Sequence, residues 1–406
     1  MSPHLAFSLF WFFYFAGLGI HFPYFSLYLH ENAGLSGTQA GIVLSTWPLV
    51  GIVAQPLWGQ LADLTGHRSV ILATLTLASA VGFYAMDLVD GFVPMVLVTA
   101  ALAVFGTSVL PVSFSISFAA FRNDGPHAFG RARVWGTVSF LFLVVGFPHI
   151  LHYYQAVSGL SPIAGGPSEP GLGIMFPLTA VCVLLAGIVG FFLPRAGAVA
   201  WRAQRGEWRH LMRHPPMRRL VVFTLLAYLF VQGPMVLFPL YVRSLGGTID
   251  TVGNLWILML LLEVPLVLLT GTGVARMGAR GLLGIALLAG GVRWTICGLT
   301  TEPWLVYPVQ VLHGVVVAGL MLGAPLYLDV IVPERLRSTG QTLHTTLSVG
   351  IGGIASTTGA GWLIDRFGPS APYLVGGIGA LILGALAWII LPPPTRLELP
   401  GGDGNR

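Results

Sequence analysis

The chain has 406 residues, 55% of them apolar and only 9% charged, with a mean hydropathy of +0.81 and a formal net charge of +5. Soluble proteins carry about 25% charged residues, so this balance excludes an ordinary soluble enzyme and indicates a multi-pass membrane protein. All 20 basic residues are Arg and they gather in particular loops, so the net charge reflects topology and does not imply a nucleic-acid partner.

A hydrocarbon core about 30 Å thick needs about 20 apolar residues per helix. In chain order the sequence predicts twelve such spans: 5–29, 38–60, 69–88, 92–121, 132–153, 172–194, 219–242, 252–274, 281–300, 303–327, 339–363 and 371–391. The first lacks a basic leader and a small-residue cleavage site, so it is expected to be a retained span. Loops on one side hold Arg68, Arg122, Arg131, Arg276, Arg280, Arg335 and Arg337. The segment 195–219 adds Arg195, Arg202, Arg205, Arg209, Arg213, Arg218 and Arg219 to that side, against one acid, Glu207. Opposite loops hold only Arg243 and Arg366. By the positive-inside rule, both termini and the central loop are expected on the cytoplasmic side of an inner membrane. Cys182 and Cys297 lie in different spans and read as buried thiols.

The Arg-rich linker 195–218 separates residues 1–194 from 219–391, six spans each, and 392–406 is expected to be a short cytoplasmic tail. A repeat crosses the linker. GQLADLTGHR follows span 2 and carries Gly59, Asp63, Gly66 and Arg68; GTGVARMGAR follows span 8 and places Gly271, Gly278 and Arg280 at matching spacing. Internal repeats flanking a site near the midplane are a recurrent transporter design. The sequence holds no nucleotide loop, metal-ligand cluster or nucleophile elbow, so neither an enzyme nor a cofactor is expected.

GQLADLTGHR resembles the G-x-L-x-D-x-x-G-x-R/K signature between helices 2 and 3 of the major facilitator superfamily. The resemblance covers the whole chain. It implies an all-α membrane protein whose twelve transmembrane helices form two pseudo-symmetric bundles rocking around a central cavity, usually as a monomer. It also implies that the acid matching Asp63 makes cytoplasmic contacts holding the outward-facing state closed below. More narrowly, GIHFPYFSLYLHE (19–31), QPLWGQLAD (55–63) and FGRARVWG (129–136) resemble the lactose permease and phenylpropionate permease branch, and in the second half GNLW, Glu263, Arg293, LHG (312–314) and PERLRSTGQ (333–341) resemble its phenylpropionate permease side more.

Charges inside a span cost about 2.5–3.5 kcal/mol on insertion scales and usually face a cavity or a partner. Glu263 and Arg293 lie deep in spans 8 and 9, and Arg133 lies near the start of span 5. Asp63, Asp329 and Asp365 sit at span ends, where interfacial water suffices. A carboxyl buried without a full partner escapes the desolvation cost by taking up a proton, which suits Glu263 to proton coupling. The plainer alternative is a static Glu263–Arg293 pair. Arg293 offers a donor fork suited to a carboxylate substrate. His313 is a candidate proton shuttle, and Gln310 shares its helix face.

His21 and Tyr24 on span 1, and Tyr228 and Gln232 on span 7, are candidate polar contacts for a solute; Trp135 and Trp256 are candidate stacking rings. From the resemblance, Arg133 matches the sugar-binding arginine of lactose permease, but its acidic helix 4 partner has no counterpart among Ser113, Ser115 and Ser117. The positions matching that transporter's helix 10 lysine and proton-carrying glutamate are Gln310 and Val316, so any proton role falls to Glu263. The expected function is proton-coupled symport of a small organic solute by alternating access, with an aromatic or other monocarboxylic acid first. A sugar or nucleoside symporter or uniporter comes next, and a transport-inactive membrane sensor or assembly partner is the alternative of another class. Small-molecule substrate, protons and lipid are the expected partners.

Overall fold

The computed structural model describes residues 1–121, 128–162, 167–194, 207–333 and 336–393, leaving aside the side chains at 207, 208, 262, 264–276 and 338. Most of the linker, the tail beyond 393, Arg122, Arg335 and the surroundings of Gly271 and Arg276 fall outside those positions.

The described residues are helical almost throughout. The first repeat supplies α1 (Pro3–His21), α2 (Gly37–Thr65), α3 (Arg68–Met86), α4 (Phe92–Ala120), α5 (Ala128–Ser158) and α6 (Met175–Gly190). The second supplies α7 (Pro215–Val236), then one helical stretch, Ile249–Leu299, that turns at Gly278 (φ +67°) into α8 (249–277) and α9 (279–299). α10 (Leu312–Ile331), α11 (337–367, with a π-helical stretch at Thr345–Ile351) and α12 (Ala371–Ala385) complete the set. Among the described residues, ten helical stretches are long and apolar enough to cross a bilayer, and Ile249–Leu261 and Ala371–Ala385 are shorter apolar helices.

Local chemistry sets the ends. Ser36 and Gln39 form a reciprocal capping box that starts α2, satisfying two of its orphan N–H groups. Gly66 ends that helix at φ +68°, where a Cβ is disfavoured, and Gly278 takes the equivalent positive φ in the second repeat. The repeated glycines of the sequence thus mark repeated turns.

Three spans expected to be continuous are interrupted. The first turns at Phe22–Tyr24, around Pro23, before resuming as Phe25–Leu27 and a π turn to Asn32. The seventh ends at Val236 and resumes as Phe238–Ser244, flanked by Pro234 and Pro239. The tenth is split into Pro303–Val309 and α10 by a tight turn at Gln310–Val311, two residues past Pro308, which lacks an N–H to donate. Such breaks in membrane helices are tolerated where protein groups take over the freed backbone.

The pairing of helices repeats. In the first six, α1 packs on α5 and α6, α3 on α4 and α6, and α2 on α4. In the second, close glycine approaches put α7 against α11 and α12, and α9 against α10 and α12. A Cβ on Gly376 would lie 2.4 Å from the Phe230 carbonyl oxygen, so those backbones meet only because the residue is glycine. Contacts divide the molecule into two units. The first holds α1–α6 and Val236–Ile257; the second holds α7 up to Met235 and the described chain from Leu258 onward. The first is built on Phe7, Phe10, Trp11, Val109 and Ile116, the second on Phe223, Leu287, Leu320 and Tyr327. Outward faces carry Val81, Phe142, Phe192 and Ile389, an apolar surface matched to lipid tails.

Candidate functional site

The second unit buries a connected polar cluster. Arg293, on α9, is 1% exposed. Its Nε and one terminal nitrogen donate to Gln310 Oε1 at 2.9 and 2.6 Å. The other terminal nitrogen lies 3.0 Å from His313 Nδ1. Two thioethers also lie against the guanidinium: Met259 Sδ at 3.4 Å, and Met235 Sδ at 3.7 and 3.8 Å. The guanidinium carbon also lies 3.9 Å from the ring centre of Trp294.

Gln310 sits in the turn that breaks span 10, and its amide nitrogen donates to the Val306 carbonyl at 2.8 Å, which aims the amide oxygen at Arg293. The break is therefore what brings Gln310 and His313 to one guanidinium. On the other face of the imidazole, His313 Nε2 lies 3.7 Å from Glu263 Oε2. His313 stands between the acid of α8 and the arginine of α9. A guanidinium only donates, so a neutral His313 accepts at Nδ1 and carries its proton on Nε2, facing Glu263.

Tyr228 and Gln232 lie on α7 beside the glycines of α11: Cβ atoms built on Gly352 and Gly353 would fall 3.2 Å from Tyr228 Cβ and 3.6 Å from Gln232 Cγ. Close by, the Ser356 hydroxyl receives the Gly233 N–H and donates to the Leu229 carbonyl, each at 2.6 Å. One hydroxyl of α11 thus bridges a donor and acceptor one turn apart on α7, beside Pro234.

The remaining candidates, apart from Gly271, Gly278 and Arg280 of the second, belong to the first unit. The Arg133 guanidinium carbon lies 3.9 Å from the centre of Phe15 and 5.2 Å from that of Trp11, and one of its terminal nitrogens is buried without a hydrogen bond. Gly136 makes the space, since a Cβ there would lie 2.8 Å from that nitrogen. Tyr24 is buried and donates to the Val144 carbonyl at 2.6 Å. His21 is ringed by Phe25, Phe83 and Phe176, with Nδ1 buried and unbonded. Trp256 is buried against Phe22, whereas Trp135 is 49% exposed. In the loop motif, Arg68 holds Asp63 at 2.5 Å and Ser115 at 3.2 Å. Gly59 has open space around it, and Arg280 is half-buried.

Sequence reasoning did not find Met235 and Met259, whose thioethers look like span filler until their helices are assembled. It also passed over Glu31 and Glu169, which meet Arg243 at 3.1 and 2.9 Å. The scarcity of charge in the loops on that side was the available signal.

The MFS_1 like family model matches residues 4–375. The chain belongs to this family, and with it to the major facilitator superfamily of transporters. Among similar proteins, the maltose permease of Geobacillus stearothermophilus is 30% identical over 96% of this chain and 95% of its own length. The probable 3-phenylpropionic acid transporter of Escherichia coli (strain K12) is 28% identical over 75% of this chain and 77% of its own. The crystal structure of the nucleoside transporter NupG shares the fold, with a TM-score of 0.82 at 15% identity, covering 96% of this chain and 99% of that one. The protein is a multi-pass membrane transporter with the all-α major facilitator fold; its relatives are permeases, not enzymes.

Proposed function

We propose that this transporter is a proton symporter of a small neutral polar solute, a sugar first, in the cytoplasmic membrane with both termini inside. The repeats 1–194 and 219–391, joined by 195–218, are the bundles that alternate, and the working unit is a monomer. The observation that carries the coupling is the chain Glu263–His313–Arg293. An imidazolium has N–H groups at both nitrogens and accepts at neither, so protonating His313 breaks its bond to Arg293. Proton occupancy and the position of the guanidinium are then alternatives, and a cycle can exploit that exclusion. Glu263, one contact away, delivers or removes the proton.

The position of Gln310 supports the choice of solute class. A carboxylate is best taken by the Nε side of a guanidinium, in a two-bond fork, and here one amide oxygen occupies it. That favours a neutral hydroxyl-bearing solute over the aromatic monocarboxylate expected from the sequence. The 30% likeness to a protein named maltose permease supports the same choice. Arg133, with an unbonded buried N–H over aromatic faces, together with His21, Tyr24, Tyr228, Gln232 and Trp256, supplies the candidate contacts for it.

The test records interior pH in proteoliposomes at clamped membrane potential after pulses of disaccharides, nucleosides or aromatic acids, with empty liposomes as control. Acidification by the disaccharide pool, abolished in Glu263→Gln while labelled-sugar exchange persists, is the expected result. Sugar uptake with no proton movement would remove the coupling role. Acidification by aromatic acids alone would return the site to monocarboxylates.

A further inference from the structure

The two glycine motifs are alike in backbone but not in charge. Gly66 and Gly278 turn the chain at φ +68° and +67°, and each is followed two residues later by an arginine, Arg68 or Arg280. In the first unit Arg68 is compensated, holding Asp63 at 2.5 Å and Ser115 at 3.2 Å. The position that matches Asp63 in the second motif is Ala275. Among the described residues, no carboxylate pairs with Arg280.

A second arginine joins it. Arg219, on α7, is exposed, and its charge and that of Arg280 both reach the phenol of Tyr327 on α10. Tyr327 is buried with its hydroxyl donating to the Pro392 carbonyl at 2.7 Å, so it brings no negative charge to offset them. Arg218, beside Arg219 in the chain, is exposed as well. No described carboxylate pairs with either. All three arginines lie early in their helices, and α7 has no acid in its first turn. Cations there face the positive end of the helix dipole. Like charges gathered at one place repel, and an anion supplied from outside the chain removes that cost.

The surroundings indicate where that anion comes from. Val222, Met277 and Val330 are exposed, each three residues from Arg219, Arg280 and Tyr327 respectively. The charged cluster therefore gives way to apolar surface, which suits a molecule that carries acyl chains as well as a phosphate. We propose that Arg219 and Arg280, with Arg218 beside them, bind the phosphate of an anionic phospholipid, which stands in the second unit for the carboxylate that Asp63 supplies in the first. Guanidinium groups match a phosphate through paired N–H donors. A zwitterionic headgroup brings its own ammonium and gains less from the same arginines. The proposal rests neither on the solute nor on proton coupling.

The test is native mass spectrometry of the full chain, delipidated in detergent and titrated with phosphatidylglycerol or phosphatidylcholine. Phosphatidylglycerol is expected to bind about tenfold more tightly, and the Arg219→Gln, Arg280→Gln double variant to reduce that preference to about twofold or less. Ala275→Asp keeps both arginines and restores a carboxylate at the matching position of the motif. It is expected to weaken phosphatidylglycerol binding about as much, and it serves should the double variant fail to fold. Arg366→Gln, at the far end of α11, removes a charge elsewhere and is expected to leave the preference intact. An unchanged preference in folded Ala275→Asp protein would overturn the site, as would an equal loss in Arg366→Gln. Displacement of phosphatidylglycerol by millimolar inorganic phosphate would overturn it too, since the arginines would then serve a soluble anion.

Discussion

Arg243 lies between two carboxylates at the end of a span, whereas Arg293 is enclosed by an amide oxygen, an imidazole nitrogen and two sulfurs deep in α9. The first arginine has its charge more than compensated by the groups it touches, in a place where water can replace them. The second touches an amide oxygen, an imidazole nitrogen and two sulfurs, with Glu263 on the far side of the imidazole. A compensated cluster at a loop works as a fastener, strong when closed and readily solvated when open. A cation buried in an apolar interior costs stability to hold there, and its retention points to work other than holding helices together.

The widest separation between the two should come from Gln310→Leu, which leaves two N–H groups of a buried cation without their oxygen. A loss of about 3–5 kcal/mol is expected, read as a large fall in the unfolding temperature of purified protein. Arg293→Met removes the charge instead and should unfold at or above the wild-type temperature while losing accumulation against a gradient. Combining the two should recover most of the stability lost in Gln310→Leu. A stable Gln310→Leu protein would mean that the amide is not what holds the guanidinium.

Arg243→Lys sharpens the other side of the comparison. The ammonium cannot span both acids in a planar fork, yet the open state is solvated, so a cost of only about 1 kcal/mol is expected, and it should shrink in high salt. Thermal unfolding across a salt series would check this; a cost that ignores salt would count against an electrostatic fastener.

The smallest effect belongs to Ser356→Ala. Removing the hydroxyl between Gly233 and Leu229 lets α7 close its own hydrogen bond, so stability should change by under about 1 kcal/mol. Transport should slow more than that figure suggests if the bridged turn at Pro234 bends during the cycle. Equal rates in both proteins would reduce Ser356 to helix packing.

Much of the architecture was legible in the chain. Span periodicity and the two glycine motifs predict twelve helices in repeated halves, because hydrocarbon forces backbone polar groups into helices whatever their neighbours. The breaks in spans 1, 7 and 10 were less legible. Their prolines are visible, but Pro48, Pro56 and Pro148 sit inside unbroken helices, so proline alone does not mark a break.

For the site, the sequence could single out Glu263, Arg293, His313 and Gln310, since polar groups stand out in an apolar span. Which of them touch is not legible in the chain: the sequence allows a direct Glu263–Arg293 pair, and the structure places His313 between them. Gln310, a candidate solute contact in the sequence, accepts from Arg293 in the structure.

The sequence by itself determined that this chain spans a membrane, that its halves repeat, and which few charges lie within the spans, because burial of the backbone and the cost of charge act residue by residue. Tertiary structure alone decided that the turn at Gln310 presents an amide and an imidazole to the same guanidinium, and that Arg243 bridges acids 212 and 74 positions earlier, at Glu31 and Glu169. Those contacts depend on where helices cross and on how far the glycines let them approach, which no single stretch of sequence encodes.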